Sequence, residues 1–264
     1  MVPPPSRRAG SGAEALEFFR PAPPRVLAHR GLALEAPENT LLAFAKALAL
    51  GVTHIETDVH ASADGVAVIA HDESLDRVAD RKVRVDQLTM AELRRVELGE
   101  GQGFCSLSEA LDAFPEARFN IDIKSSAAIA PTVRAIQELR ATERVLVTSF
   151  SDARRRKAVA ALPGVATSVS AGSTLRLVLA NRSRWSAAAR RVLASVHAVQ
   201  VPERWKAIRV VTPSLIRACH EADVEVHVWT VNDSADMTRL LDLGIDGLVT
   251  DRADLAVEVI RRRS

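Results

Sequence analysis

Arg118-Phe119-Asn120-Ile121-Asp122-Ile123-Lys124 is the stretch on which the fold turns. Phe119, Ile121 and Ile123 alternate with Asn120, Asp122 and Lys124, so an extended chain here has one apolar face and one carrying an amide, a carboxylate and an ammonium. Short apolar runs of this kind recur on both sides of it. From Arg25 onward they alternate with longer Ala/Leu/Arg-rich stretches of helical period, the pattern of repeated βα units around a parallel sheet. The runs fall at residues 26–29, 54–59, 118–124, 144–150, 166–170, 197–201, 225–231 and 247–250. Eight strands separated by helices predict an α/β fold, a closed (β/α)8 TIM barrel.

Helix-start signals agree with that count. Pro37-Glu38-Asn39-Thr40 opens a first helix, Asp152 is placed to cap another, Thr212-Pro213 a third and Asn232 or Asp233 a fourth. Residues 66–103 break the rhythm with a hairpin at Asp64-Gly65 and a charged stretch, and predict a small insertion after the second strand, about residues 72–105. Residues 1–24, with clustered prolines and a Gly-Ser-Gly stretch, predict a flexible tail ahead of a barrel domain over 25–264.

Composition limits the function. With 264 residues, 47% of them hydrophobic, the chain is long enough for one large α/β core. Its 35 basic and 33 acidic residues leave a net charge of +2, without the concentrated basic field of a nucleic-acid binder. Arg261-Arg262-Arg263 ends a helix, where the dipole favours basic residues in any case. No stretch reaches the ~20 apolar residues of a membrane span, and the best candidate, 41–52, contains Lys46 and reads as an amphipathic helix. Cys105 and Cys219 lack metal-ligand spacing and suit packing in a reducing compartment, so a cytoplasmic protein without stable membrane insertion is expected.

In a parallel barrel, reactive groups gather at the C-terminal ends of the strands. There the first strand gives His29-Arg30-Gly31, an imidazole beside a guanidinium suited to phosphate oxygens. The second gives Glu56-Thr57-Asp58, two carboxylates on one face that call for a hard divalent cation. In the third, Asp122 is a candidate third metal ligand and Lys124 a phosphate contact. His71-Asp72 follows the apolar run 66–70 and brings a second imidazole. Phosphodiester hydrolysis needs a proton acceptor, a proton donor and neutralisation of negative charge, and this set covers all three.

These residues, with Pro37-Glu38-Asn39-Thr40, Phe44, Gly51, Ile55-Glu56-Thr57-Asp58-Val59 and Asp64-Gly65, resemble in order the signature of the glycerophosphodiester phosphodiesterase family. Asn120 to Lys124, Ser149-Phe150, Trp229-Thr230-Val231-Asn232 and Gly244 to Asp251 resemble its later blocks, so the likeness spans about residues 24–262. The resemblance implies hydrolysis of small-molecule glycerophosphodiesters to an alcohol and glycerol 3-phosphate. It implies Glu56, Asp58 and Asp122 as ligands of Mg2+ or Ca2+, His29 and His71 as the catalytic pair, and Arg30 and Lys124 as phosphate contacts. Asp122 departs from the glutamate common at its position. Rival readings are a lysophospholipase D or phospholipase C-like activity on a lipid, and a barrel that binds phosphodiesters without cleaving them.

Other polar residues have plainer readings. Glu38 and Asn39 support the His29 loop or cap the helix. His54 reads as a packed, hydrogen-bonded core residue, His60 as part of the turn after its strand, and His197, His220 and His227 as structural. Trp229 ends an inward-facing set with Glu225 and His227, placed either to wall a substrate subsite or to pack in the core, and Ser149 and Phe150 are weaker pocket candidates.

Overall fold

The computed structural model describes residues 16–169 and 187–263. Strands β1 (Arg25–His29), β2 (His54–Ala61), β4 (Arg118–Ile123), β5 (Val145–Thr148), β6 (Ala166–Thr167), β7 (Ala198–Pro202), β10 (Glu225–Trp229) and β11 (Gly247–Thr250) pair in parallel in the order β6-β5-β4-β2-β1-β11-β10-β7. The circle is nearly closed between β6 and β7. A parallel bridge joins Ser168 to Ala198, and the Val169 N–H donates to the Ala198 carbonyl at 3.1 Å. The expected barrel is therefore present, and its strand predicted at 247–250 keeps those bounds. The strand predicted at 166–170 is described only to Val169, and Ser170 lies outside the described residues.

Register explains why the motifs converge. Glu56 stands beside Asn120, Asp58 beside Asp122 and His29 beside Glu56, so side chains of one parity enter the barrel together. The opposite parity, including Ile55, Val59, Phe119, Ile121 and Ile123, packs in the main apolar core. Helix α1 (Leu41–Ala49) adds Ala43, Phe44 and Ala47 to the buried set, and Thr40 caps it by accepting from the Ala43 N–H. Gly31, at φ +86°, lets the chain turn against that helix: a Cβ there would lie 2.7 Å from the Ala43 backbone.

The inside of the barrel is polar, and a chain of bonds runs through it from Arg25. Arg25 donates twice to Glu225, at 2.6 and 2.8 Å, and Glu225 bonds His227 at 2.9 Å. His227 meets Gln200, and the Ser168 hydroxyl lies within hydrogen-bond distance of both Gln200 Oε1 and Thr148 Oγ1. Burial opposes the Glu225 carboxylate, but His227 and Arg25 overcome it and hold the group down at about 2. Gly247 makes room for the His227 ring, since a Cβ would come within 2.7 Å of it.

Three sequence expectations need correction. Residues 17–24 are not a free tail: Glu17–Phe19 form a 3-10 turn, and Phe18 and Phe19 are buried against Leu146, Ala166 and Ala198 at the N-terminal end of the barrel. Two adjacent phenylalanines stopper that end, tied by His54 Nε2 at 2.7 Å from the Phe18 carbonyl and Arg25 donating to the Phe19 carbonyl at 2.9 Å. Asp152 is not a cap, because Ser151 accepts the Arg154 N–H and leaves Asp152 in the first turn of Asp152–Ala160. His60 lies within β2, paired with Val68, rather than in a turn.

After β2 the chain doubles back as antiparallel β3 (Ala67–Ile69) and enters the insertion. This carries its own apolar cluster, in which Leu75, Val85, Met90, Leu93, Val96 and Phe104 pack on Val68 and Ala70. No helix among the described residues is long and apolar enough to cross a membrane.

Candidate active site

A cavity of about 480 Å³ opens at the C-terminal ends of the strands. His29, Arg30, Glu56, Asp58, His71, Asp122, Lys124 and Trp229, each singled out in the sequence, all line it. Ser149 and Phe150 line it too.

His29 comes from the end of β1. Its Nδ1 lies 2.6 Å from Asp251 Oδ1, and its Nε2 lies 3.8 Å from Glu56 Oε2. Asn232 fixes the carboxylate from the other side, donating to Asp251 Oδ2 at 2.7 Å and accepting the Asp251 N–H at 2.9 Å. Burial lowers the His29 pKa, yet the Asp251 bond and the Glu56 charge outweigh it and leave the imidazole above its ordinary value. His71 is built alike: Nδ1 lies 2.8 Å from Asp72 Oδ1, and Arg77 holds the second Asp72 oxygen. His60 Nε2 sits 3.2 Å from the His71 carbonyl and fixes the backbone there. In both imidazoles a carboxylate engages Nδ1 and leaves Nε2 as the nitrogen free to exchange a proton.

The acids stand on adjacent strands. Lys124 Nζ lies between Asp58 and Asp122, at 2.7 and 2.8 Å, and Arg30 Nε is 3.4 Å from Asp58. Asn39 donates to Asp58 at 3.3 Å and accepts from Thr57 at 2.8 Å, and Glu38 accepts from Arg30 at 3.0 Å. Both therefore brace the site. Burial and the neighbouring Asp58 charge push the Glu56 carboxyl well above the usual range, and burial raises Asp122 against the pull of Lys124.

Among the described residues no three acid, His or Cys side chains close into a metal cage. The Lys124 ammonium, a phosphate contact by the sequence reading, pairs here with Asp58 and Asp122 at the floor of the same cavity. A cation nevertheless suits the donor set. Glu56 Oε2, Asp122 Oδ1 and Asn120 Oδ1 are buried oxygens without a hydrogen bond, and each such orphan costs about 1–3 kcal/mol unless something positive meets it.

Residues 29–255 match the glycerophosphoryl diester phosphodiesterase family. The chain belongs to that family. It is 41% identical over 254 residues to "Probable glycerophosphodiester phosphodiesterase 2" of Mycobacterium tuberculosis, covering 96% of both chains. Against a glycerophosphodiester phosphodiesterase of Caldanaerobacter subterraneus it is 30% identical, over 90% of this chain and 98% of that one. Among solved structures it resembles the Agrobacterium tumefaciens glycerophosphodiester phosphodiesterase, with TM-score 0.73, 25% identity and coverage of 90% and 99%. An Oleispira antarctica phosphodiesterase in complex with the product sn-glycerol-3-phosphate matches with TM-score 0.74, 23% identity and coverage of 90% and 97%. Membership makes the chain a phosphoric diester hydrolase.

Sequence reasoning missed several residues of this family member's site. Asp251 follows Thr250 at the end of β11, so the strand-end rule that picked out His29 would have picked it out as well. Of the two cap candidates Asn232 and Asp233, Asp233 caps the helix Ser234–Asp242, and Asn232, which the sequence also places in a family-like block, braces Asp251 instead. Trp205, Ile208 and Val210, which form an apolar wall opposite the acids, lie beyond the strand of residues 198–202 and carry no signal in the linear pattern.

Proposed function

We propose that this cavity hydrolyses glycerophosphodiesters to an alcohol and glycerol 3-phosphate, with His29 and His71 exchanging the protons. The observation that carries the reading is the pair of imidazoles, each anchored through Nδ1 to its own carboxylate, in one cavity with three acids and two bases. The product in the Oleispira relative supports the substrate class.

Glu56, Asp58 and Asp122 would hold a divalent cation, Mg2+ or Ca2+. Such an ion would supply neutralisation of phosphate charge. Arg30, beside His29 on the β1 loop, and Lys124 orient the phosphate. One histidine Nε2 accepts the proton of the attacking group while the other protonates the departing alcohol oxygen. Asp251 and Asp72 keep both rings in the tautomer and orientation this exchange requires. The attacking group is water, or the glycerol hydroxyl beside the phosphate by way of a cyclic phosphate. Turnover in labelled water separates the two routes, because only the second yields an unlabelled cyclic intermediate.

A second reading has an observation of its own. Phe150 and Trp229, with ring centroids 6.2 Å apart, continue the apolar wall of Trp205, Ile208 and Val210, which suits a lysolipid-like alcohol. A panel of glycerophosphocholine, glycerophosphoethanolamine, glycerophosphoinositol and lysophospholipids, with and without chelator, tests both readings. Chelation is expected to abolish release of every alcohol, and re-addition of Mg2+ or Ca2+ to restore it. Full turnover in chelator contradicts the metal assignment. The two buried free cysteines, Cys105 and Cys219, support a reducing, cytoplasmic setting for the reaction.

A further inference from the structure

The exposed apolar side chains are not scattered. Among the described residues the large hydrophobics that stay exposed are Leu34 (53%), Phe150 (55%), Trp205 (51%) and Ile208 (39%). Leu34 lies in the loop after β1, Phe150 after β5, and Trp205 and Ile208 after β7, so all four follow the C-terminal ends of barrel strands. They share the end at which the cavity opens, and three of them line its mouth.

The last two belong to a small hairpin. Strands β8 (Arg204–Trp205) and β9 (Ile208–Arg209) pair Arg204 with Arg209 and Trp205 with Ile208, and every residue from 204 to 209 is exposed. The sequence Arg204-Trp205-Lys206-Ala207-Ile208-Arg209 contains three cations and no acid. None of the three cations forms an ion pair among the described residues. The adjoining acid, Glu203, is held by Arg239 at 2.8 Å, and Glu35, next to Leu34, by Lys46 at 2.9 Å. Among the described residues this tip thus offers positive charge without an acidic partner, interleaved with a tryptophan and an isoleucine.

We propose that the 204–209 hairpin docks the open end of the barrel on an anionic lipid bilayer. A tryptophan prefers the headgroup level, isoleucine adds buried apolar area, and flanking basic side chains meet anionic headgroups. The set is small and suits reversible association at the surface, not insertion. Docking in this orientation turns the cavity mouth toward the membrane, with Trp205 and Ile208 continuous between the bilayer and the phosphodiester site. The inference goes beyond the hydrolytic reading and stands without it, because it concerns where the cavity is held rather than what it cuts.

Co-sedimentation of the full chain with vesicles tests it, using phosphatidylcholine alone and phosphatidylcholine mixed with phosphatidylglycerol. The protein is expected to pellet with the mixed vesicles at low salt, to leave them at high salt, and to ignore phosphatidylcholine alone. Each basic side chain removed lowers partitioning about fivefold, so Lys206→Gln with Arg209→Gln lowers it about 25-fold. Neither of these two residues lines the cavity, so turnover of soluble glycerophosphocholine by the double variant should match the parent and certify its fold. Trp205→Ser should weaken vesicle binding independently of salt. Failure of the parent to pellet, or unchanged pelleting of both variants, overturns the proposal. So does concentration-dependent self-association abolished by the same substitutions, which would make the hairpin an interface between copies of this chain.

Discussion

At the scale of single residues, what matters in this site is which atom of each side chain is already engaged. Asp251 occupies His29 Nδ1 and Asp72 occupies His71 Nδ1, so both rings present Nε2. Asp251→Asn retains a polar partner but removes the charge and the tautomer constraint. It is expected to lower kcat at least about tenfold while leaving KM and the melting temperature nearly unchanged. Steady-state kinetics beside a thermal melt checks this split. Loss of stability in parallel with activity would make Asp251 merely structural. His29, Glu56, Asp58 and Asp122 were legible in the sequence because period-two alternation assigns parity, and parity decides which side chains enter a barrel. Asp251 obeyed the same rule and was passed over. The bonds of Lys124 to Asp58 and Asp122 were not legible, since they depend on β2 and β4 being neighbours with Asp58 level with Asp122.

At the scale of elements, the barrel strands were readable as apolar runs with polar ends, and their helices from caps such as Thr40 and Thr212. Failures came where two adjacent residues compete for one role. Ser151 and Asp152 can each accept an amide at a helix start, and only the backbone decides that Ser151, in extended conformation at φ −93°, is the cap. The pairing of β10 with β11 carries a constraint no pattern announces: Gly247 is level with His227 and leaves no room for a methyl group. Gly247→Ala is expected to destabilise the fold by about 1–3 kcal/mol, as overpacking of a filled interior does. Chemical denaturation measures it, and an unchanged midpoint would show that the His227 ring can move aside.

At the scale of the whole molecule, the two ends of the barrel have divided tasks. The end with the cavity concentrates charge, while the other is closed by Phe18 and Phe19 and secured by Arg25, Glu225 and His54. That closure escaped the sequence reading because residues 17–19 lie among prolines and arginines, and their burial is decided by contacts with distant strands. Phe18→Ala is expected to cost about 3–5 kcal/mol of stability, against almost nothing if the segment were a free tail. Glu225 links the same end to acid. Its carboxyl is lowered from 4.5 to about 2 on folding, so its contribution is complete above about pH 4.5 and is lost as the pH falls through that window. Glu225→Gln, which leaves Arg25 buried without its partner, should be less stable than the parent at neutral pH by about 3 kcal/mol. The gap should narrow steadily on acidification below about pH 4.5. A constant gap across that range, in denaturation series at several pH values, would place the stabilisation elsewhere.

Two carboxylate-anchored imidazoles acting on one phosphodiester form the core of the account, and release of glycerol 3-phosphate from glycerophosphocholine by His29→Ala and His71→Ala tests it most directly. Each substitution is expected to lower kcat by about 10²- to 10⁴-fold, the usual worth of a positioned acid or base, in protein that melts like the parent. Turnover close to that of the parent in either variant would contradict it.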